Sequence, residues 1–207
     1  MTKSAYAAST AAKKTSQNGN ASKASVSGKK QKTLKDLLEE GLKDVYSAEK
    51  QLVEALPEFA KACSSEDLED AFTKHLQQTK RQAERIEKIF QRLGINKAEE
   101  KKCEAMEGLI KEGRKIIEEF DESPVRDSAL IIGAQKIEHY EIAAYGSLCE
   151  LADVLGLSKV AEILDRTLEE EENTDQELTQ LAEEINDEAY ELTEQQEGEE
   201  EEEQEQV

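Results

Sequence analysis

The 207-residue chain has no tryptophan, 4% aromatic residues and two prolines, Pro57 and Pro124. With glutamate, lysine, alanine, leucine and glutamine dominating, that scarcity favours helices over sheets. Cysteine is also scarce. Cys63, Cys103 and Cys149 lie far apart and make no Cys-x-x-Cys pair, a pattern that suits buried or incidental thiols in a reducing cytosol. No apolar run approaches the ~20 residues that a membrane span requires. The N-terminus has no continuous apolar segment to support a secretory signal, so the expected location is cytoplasmic. Positive charge is short as well: 27 Lys and Arg against 48 Asp and Glu give a formal charge of −21. Such a body repels nucleic acid and anionic membranes.

What remains has three parts. Residues 1–32 hold seven lysines, no acid and no arginine. They read as a disordered basic Ser/Ala/Lys-rich arm rather than an Arg-rich transit peptide. The tail from Asp187 to Val207 has eleven acids and no base, so residues 191–207 are expected to be a disordered acidic tail. Residues 33–190 carry helical periodicity, and at this length they make one domain.

Within that domain the pattern predicts four long helices. Thr33 with Asp36 caps the first, which Pro57 should bend. Ser64 with Asp67 opens the second, whose inner row is Leu68, Phe72, His75, Thr79, Gln82, Ile86, Ile89 and Leu93, and Gly94 stops it. A connector of about thirty residues, helical over Glu99–Phe120, leads to Ser123 and Pro124 at the start of the third helix. Gly156 ends that helix and Ser158 opens the fourth. One long connection among short ones suits an all-α, ferritin-like four-helix bundle with a helical crossover between helices 2 and 3.

The apolar stripes are broken by polar residues at one level. Glu49 lies near the middle of the first helix and Gln78 and Thr79 near that of the second. Glu138 and Glu141 centre the third helix, and Glu171, Thr174 and Asp175 the fourth. Helices of similar length packed side by side bring their midpoints to one height, so these groups should converge in the core. Buried carboxylates need a proton, a cation or a metal. Carboxylates with an imidazole describe a site for a hard cation, iron or manganese. The candidate ligands are Glu49, Glu138, Glu141 and Glu171, with His75 and Asp175. The bland alternative is a buried ion pair with Arg81 or Arg85. His139 adjoins both third-helix glutamates but should rim the bundle.

Four stretches, TLKDLLEEGLKDVYSAEKQLVEALPEFAKAC, KKCEAMEGLIKEG, AQKIEHYEIAAYGSL and TLEEEENTDQELTQLAE, resemble the YciF-like bacterial proteins, in order and across roughly residues 33–186. The resemblance implies a ferritin-like bundle, a link to stress responses and a homodimer, with no established activity. Such proteins look like the di-iron carboxylate portion of rubrerythrins, where helix glutamates and Glu-x-x-His pairs hold two irons. By position, that pattern falls on Glu49, on Glu138 and Glu141, and on Glu171. It departs at Gln78, where relatives commonly have glutamate, and at Arg81 and Thr174, where the pattern has histidine. The functional expectation is metal binding in the bundle core, linked to stress and to the consumption of peroxide. The rival is a non-enzymatic structural or interaction bundle with a degenerate site.

Overall fold

Thr33 starts the first helix as expected: its hydroxyl accepts from the Asp36 N–H at 3.2 Å, and the Asp36 carboxylate accepts from the Thr33 N–H at 2.8 Å. The computed structural model describes residues 31–96 and 101–205, with side chains as far as 198. All but the last two residues of the basic arm lie outside the described residues. Five helices follow: α1 Leu34–Ala62, α2 Glu66–Leu93, α3 Glu104–Glu119, α4 Pro124–Val154 and α5 Ser158–Glu205. No described helix is long and apolar enough to cross a membrane. Pro57 sits inside α1 without ending it.

Helix boundaries follow the capping chemistry, with two shifts. Gly94 ends α2 at φ 70°, a left-handed position that glycine takes without strain. Ser123 caps α4 with Pro124 at the first helical position. The cap of α2, however, is Ser65 and not Ser64, because Ser64 is committed elsewhere. Its hydroxyl donates to Asp127 of α4 at 2.6 Å, and the Ser64 and Ser65 N–H groups donate to the same carboxylate at 3.0 and 2.8 Å. The connector helix starts at Glu104, later than the expected Glu99, with Cys103 as its cap.

The core is two apolar clusters. One joins Leu38, Leu42 and Tyr46 of α1 to Ile86 and Phe90 of α2, Tyr145 and Leu148 of α4, and Leu164 of α5. The other joins Leu52 and Phe59 of α1 to Leu68 and Phe72 of α2, Leu130 and Ile137 of α4, and Leu178 of α5. Early residues of α1 and α5 therefore share a cluster with late residues of α2 and α4. The Asp127 bonds agree, since they hold the start of α2 against the start of α4. Met106 and Ile110 of α3 join the second cluster. At the start of α3 the Cys103 N–H donates to the Ser47 hydroxyl, and along the helix Arg114 pairs with Glu58 at 2.9 Å and Glu112 with Lys136 at 2.8 Å. Gly113 lets α3 close on α1, because a Cβ there would stand 2.7 Å from the Phe59 ring.

Residue 190 marks no break in the chain's helicity. α5 continues to Glu205, and what stops is burial, with Ile185 its last buried side chain among those described, which reach residue 198. Glutamate and glutamine are good helix formers, so the acidic segment prolongs the helix without adding to the core. The three thiols are free. Cys63 lies beside the Asp127 staple, whereas Cys149 packs against the cluster at the other end.

Asp127 is fully buried. Asp127→Ala would strand two backbone N–H groups and should cost roughly 3 kcal/mol, measured as a lower urea midpoint at unchanged slope. A change within 0.5 kcal/mol of zero would mean that the staple carries no stability.

Candidate metal centre

At the level between the two apolar clusters, each inward position of four helices is polar. α2 contributes His75, α4 contributes Glu138 and Glu141 one turn apart, and α5 contributes Glu171. One ligand atom from each lies within 4.8 Å of the others, and all four residues are buried. Glu49 of α1, 0% exposed, is near enough for its charge to act on Glu138, Glu141 and Glu171. Its Oε1 accepts a hydrogen bond from the Tyr145 hydroxyl, which leaves Oε2 without a partner. Both oxygens of Glu141 and of Glu171, Oε2 of Glu138 and Nε2 of His75 are likewise buried with no hydrogen-bond partner. Leaving one such group unsatisfied costs ~1–3 kcal/mol, and more if charged. The cluster therefore needs a proton or a metal.

The imidazole has a polar neighbour at each ring nitrogen. The Thr174 hydroxyl lies 3.0 Å from the Glu170 carbonyl and 3.5 Å from His75 Nδ1. While it donates to the carbonyl it can only accept from Nδ1, and in that tautomer Nε2 turns its lone pair inward. Nε2 stands 3.3 Å from Oε1 of Glu138. Burial lowers the His75 pKa to about 4, so the ring is neutral at pH 7. Two lone pairs at that separation are tolerated only with a proton or a cation between them. Threonine at 174, where the di-iron pattern has histidine, thus meets the histidine of another helix.

Electrostatics says the same of the carboxyls. Burial, reinforced by the neighbouring acids, raises Glu138, Glu141 and Glu171 well above the usual carboxylate range. Burial raises Glu49 to about 8, although Tyr145 and Arg85 act to lower it. Ionising Glu49 near pH 7 without compensation would cost the fold several kcal/mol, a large fraction of a domain's net stability.

The alternative, a buried ion pair of the cluster with Arg81 or Arg85, does not form. Arg85 is bound bidentately by Glu170, at 2.6 and 2.7 Å, with Gln82 adding a third bond to that carboxylate. Arg81 is exposed. Among the six candidate ligands, Asp175 stands apart: it faces the exposed His139 at 3.3 Å, in an outer groove between α4 and α5. Gln78 is half-buried below the cluster, and the inward residues of α2 at this level are His75, Thr79 and Gln82. Sequence reasoning overlooked Tyr145 as a holder of Glu49. The signal was its place one turn beyond Glu141 in the same inward row.

Three comparisons bear on this arrangement. The family described as "Domain of unknown function (DUF892)" matches residues 33–191. Protein YciF of Escherichia coli is 50% identical over 151 residues, 73% of this chain and 91% of YciF. The crystal structure of that E. coli protein, described as a stress protein, superposes with a TM-score of 0.73 at 48% identity, covering 76% of this chain and 99% of the other. YcfI of Rhodopseudomonas palustris superposes at 0.69 with 38% identity, covering 72% and 94%.

The raised carboxyls fix a pH dependence. A group whose folded pKa exceeds its unfolded value stabilises fully below the unfolded pKa, and that contribution is lost as pH rises through the folded pKa. For Glu49 the window runs from 4.5 to about 8, and Glu138, Glu141 and Glu171 act in the same direction. His75 is opposite: its contribution is present above 6.5 and is lost as pH falls through about 4. Four carboxyls outweigh one imidazole. In chelator, the melting temperature should fall as pH rises from about 5 to about 9, and the slope should shrink in Glu138→Gln. A melting temperature that climbs across that range would show the carboxyls to be compensated by something other than protons.

Proposed function

The chain belongs to the DUF892 family, as a YciF-like protein, and on that premise we propose that it is a stress-linked metal-binding protein with iron or manganese in its core. The scaffold we infer is a ferritin-like four-helix bundle of α1, α2, α4 and α5. In it, the connection that carries α3 leads from the end where α2 finishes to the end where α4 starts. Supporting that topology are the shared clusters and the Asp127 staple, which put the starts of α2 and α4 together. A homodimer in the cytoplasm is carried with this reading from the family resemblance.

One observation carries the metal assignment. Buried oxygens of three glutamates and a histidine nitrogen converge within 4.8 Å while lacking hydrogen-bond partners. Oxygen donors with one imidazole suit iron(II) or manganese(II) better than soft thiolate-seeking metals. We propose a single ion on His75, Glu138, Glu141 and Glu171, with Glu49 held alongside by Tyr145. Gln78, Arg81 and Thr174 supply none of the ligands that the second ion of a di-iron pattern would require. A redox-active ion bound here would supply electron transfer to peroxide. The protein's own part is to present the Nε2 lone pair, give up the carboxyl protons and exclude bulk water.

Replacing both Glu138 and Glu141 by Gln tests the reading. A ligand at 100 times its Kd stabilises by ~2.7 kcal/mol, so the parent's melting temperature should rise by several degrees with ferrous or manganous ion. The double variant should lose that rise, yet be at least as stable as the metal-free parent, because Arg85 is engaged by Glu170 and is not orphaned. Elemental analysis of untagged parent protein should find about one metal per chain. A metal-free, metal-indifferent parent would instead favour the non-enzymatic bundle.

A further inference from the structure

Outside the carboxyl cluster, three helices meet at a thiol. The buried Cys103, which caps α3, has its Sγ 2.9 Å from the Tyr140 hydroxyl of α4 and 3.3 Å from Oδ2 of Asp44 in α1. The Tyr140 hydroxyl donates to the same Asp44 oxygen at 2.9 Å. The Cys103 backbone is fixed as well, its N–H donating to Ser47 at 3.0 Å and its carbonyl accepting from Gln51 at 3.1 Å. Capping does not account for the sulfur. Its contact with the Met106 N–H is 3.5 Å long, and a serine hydroxyl caps a helix better than a weak sulfur acceptor. On one side Asp44 stands 3.5 Å from the exposed Lys101. On the other, Cys103 is near enough for its charge to act on Glu141.

We propose that Tyr140 and Cys103 form a one-electron donor pair that protects the core from an oxidant derived from peroxide, with Asp44 taking the proton. Oxidation breaks the Tyr140 O–H bond. The electron goes to the oxidant, and the proton passes to Asp44 Oδ2 along the hydrogen bond already made. The phenoxyl oxygen then takes a hydrogen atom from Cys103 across 2.9 Å, which breaks the S–H bond, restores the phenol and leaves a thiyl radical. A soluble thiolate gives one electron to that sulfur and becomes a thiyl radical itself, while the Cys103 sulfur recovers its proton from Asp44 at 3.3 Å. Burial raises the Cys103 pKa, so the sulfur keeps the hydrogen that the transfer needs. Tyr140 thus offers an oxidisable phenol next to Glu141 in sequence, and Cys103 prevents the radical from staying there. Donation is a property of these three side chains, whereas a core that generates the oxidant rests on the metal reading above.

The pair can be tested in the whole metal-free chain, with a photo-oxidised ruthenium polypyridyl complex as the one-electron oxidant. Cys103→Ser keeps the helix cap and removes the S–H hydrogen, and Tyr140→Phe keeps the ring and removes the phenol. Tyrosyl absorption that is present in Cys103→Ser, and lost when Tyr140→Phe is added, belongs to Tyr140. In the parent that component should decay several-fold faster. With air admitted after the flash, mass mapping should find irreversible oxidation at Cys103, although Cys63 and Cys149 are less buried, and Tyr140→Phe should lower it several-fold. A Tyr140 component that is missing from Cys103→Ser, or that decays equally fast with and without the thiol, would overturn the proposal. So would oxidation of Cys103 that is indifferent to Tyr140→Phe. These readouts use no bound metal, and Cys103→Ser should leave the metal-dependent rise in melting temperature intact, so the donor pair and the metal site can fail separately.

Discussion

Burying carboxyl groups is the constraint on which the rest of this structure depends. Each of Glu49, Glu138, Glu141 and Glu171 sits at 2% exposure or less, where an unpaired charge costs several kcal/mol. A fully buried leucine or phenylalanine returns about 1.5–3 kcal/mol. Many apolar contacts must therefore hold the cluster closed, and they do so from both sides. Tyr145 and Leu164 press from one cluster, Leu52 and Ile137 from the other. With the polar level between two clusters, α1, α4 and α5 cannot slide along their axes without moving a carboxyl into hydrocarbon.

That dependence explains features that look incidental one by one. Asp127 takes up the N–H groups at the α1–α2 turn, which sets where α4 begins relative to α2 and hence the height of Glu138 relative to His75. Gly113 allows α3 to lie close against α1 beside Phe59, covering the second cluster where α1 and α4 would otherwise face solvent. Arg85 finds Glu170 on the bundle's flank rather than Glu171 within it. One residue of helix register, about 100°, separates a partly exposed ion pair from a buried carboxyl of the cluster.

Much of this was legible in the sequence. The inward row of α2 was read nearly residue for residue from a 3.6 period, polar members included, since His75, Thr79 and Gln82 occupy positions where leucine would be unremarkable. The common height of the polar residues followed from helix midpoints. That estimate worked for α5 only because Ile185 ends its buried portion, although the helix itself runs to Glu205. Less legible were matters that periodicity cannot resolve. Asp175 lies one turn from Glu171 and close to the same stripe, yet its carboxylate meets His139 outside. Ser64 and Ser65 are equivalent as caps until Asp127, more than sixty residues away, claims the first.

The departures from the di-iron pattern are best understood together. Arg81, where the pattern has a second-helix histidine, points to solvent, so its charge does not spoil the core. Thr174, where the pattern has another histidine, is buried and spends its proton on the Glu170 carbonyl. The imidazole that remains, His75, comes from one turn earlier on α2. Threonine, where the pattern has a ring, thus sets a hydroxyl oxygen 3.5 Å from the one buried imidazole. A core built this way retains the acidic character of the pattern while its nitrogen donors fall to one. Among the described residues, this buried polar level is thus acidic on three helices and faces a single imidazole on the fourth.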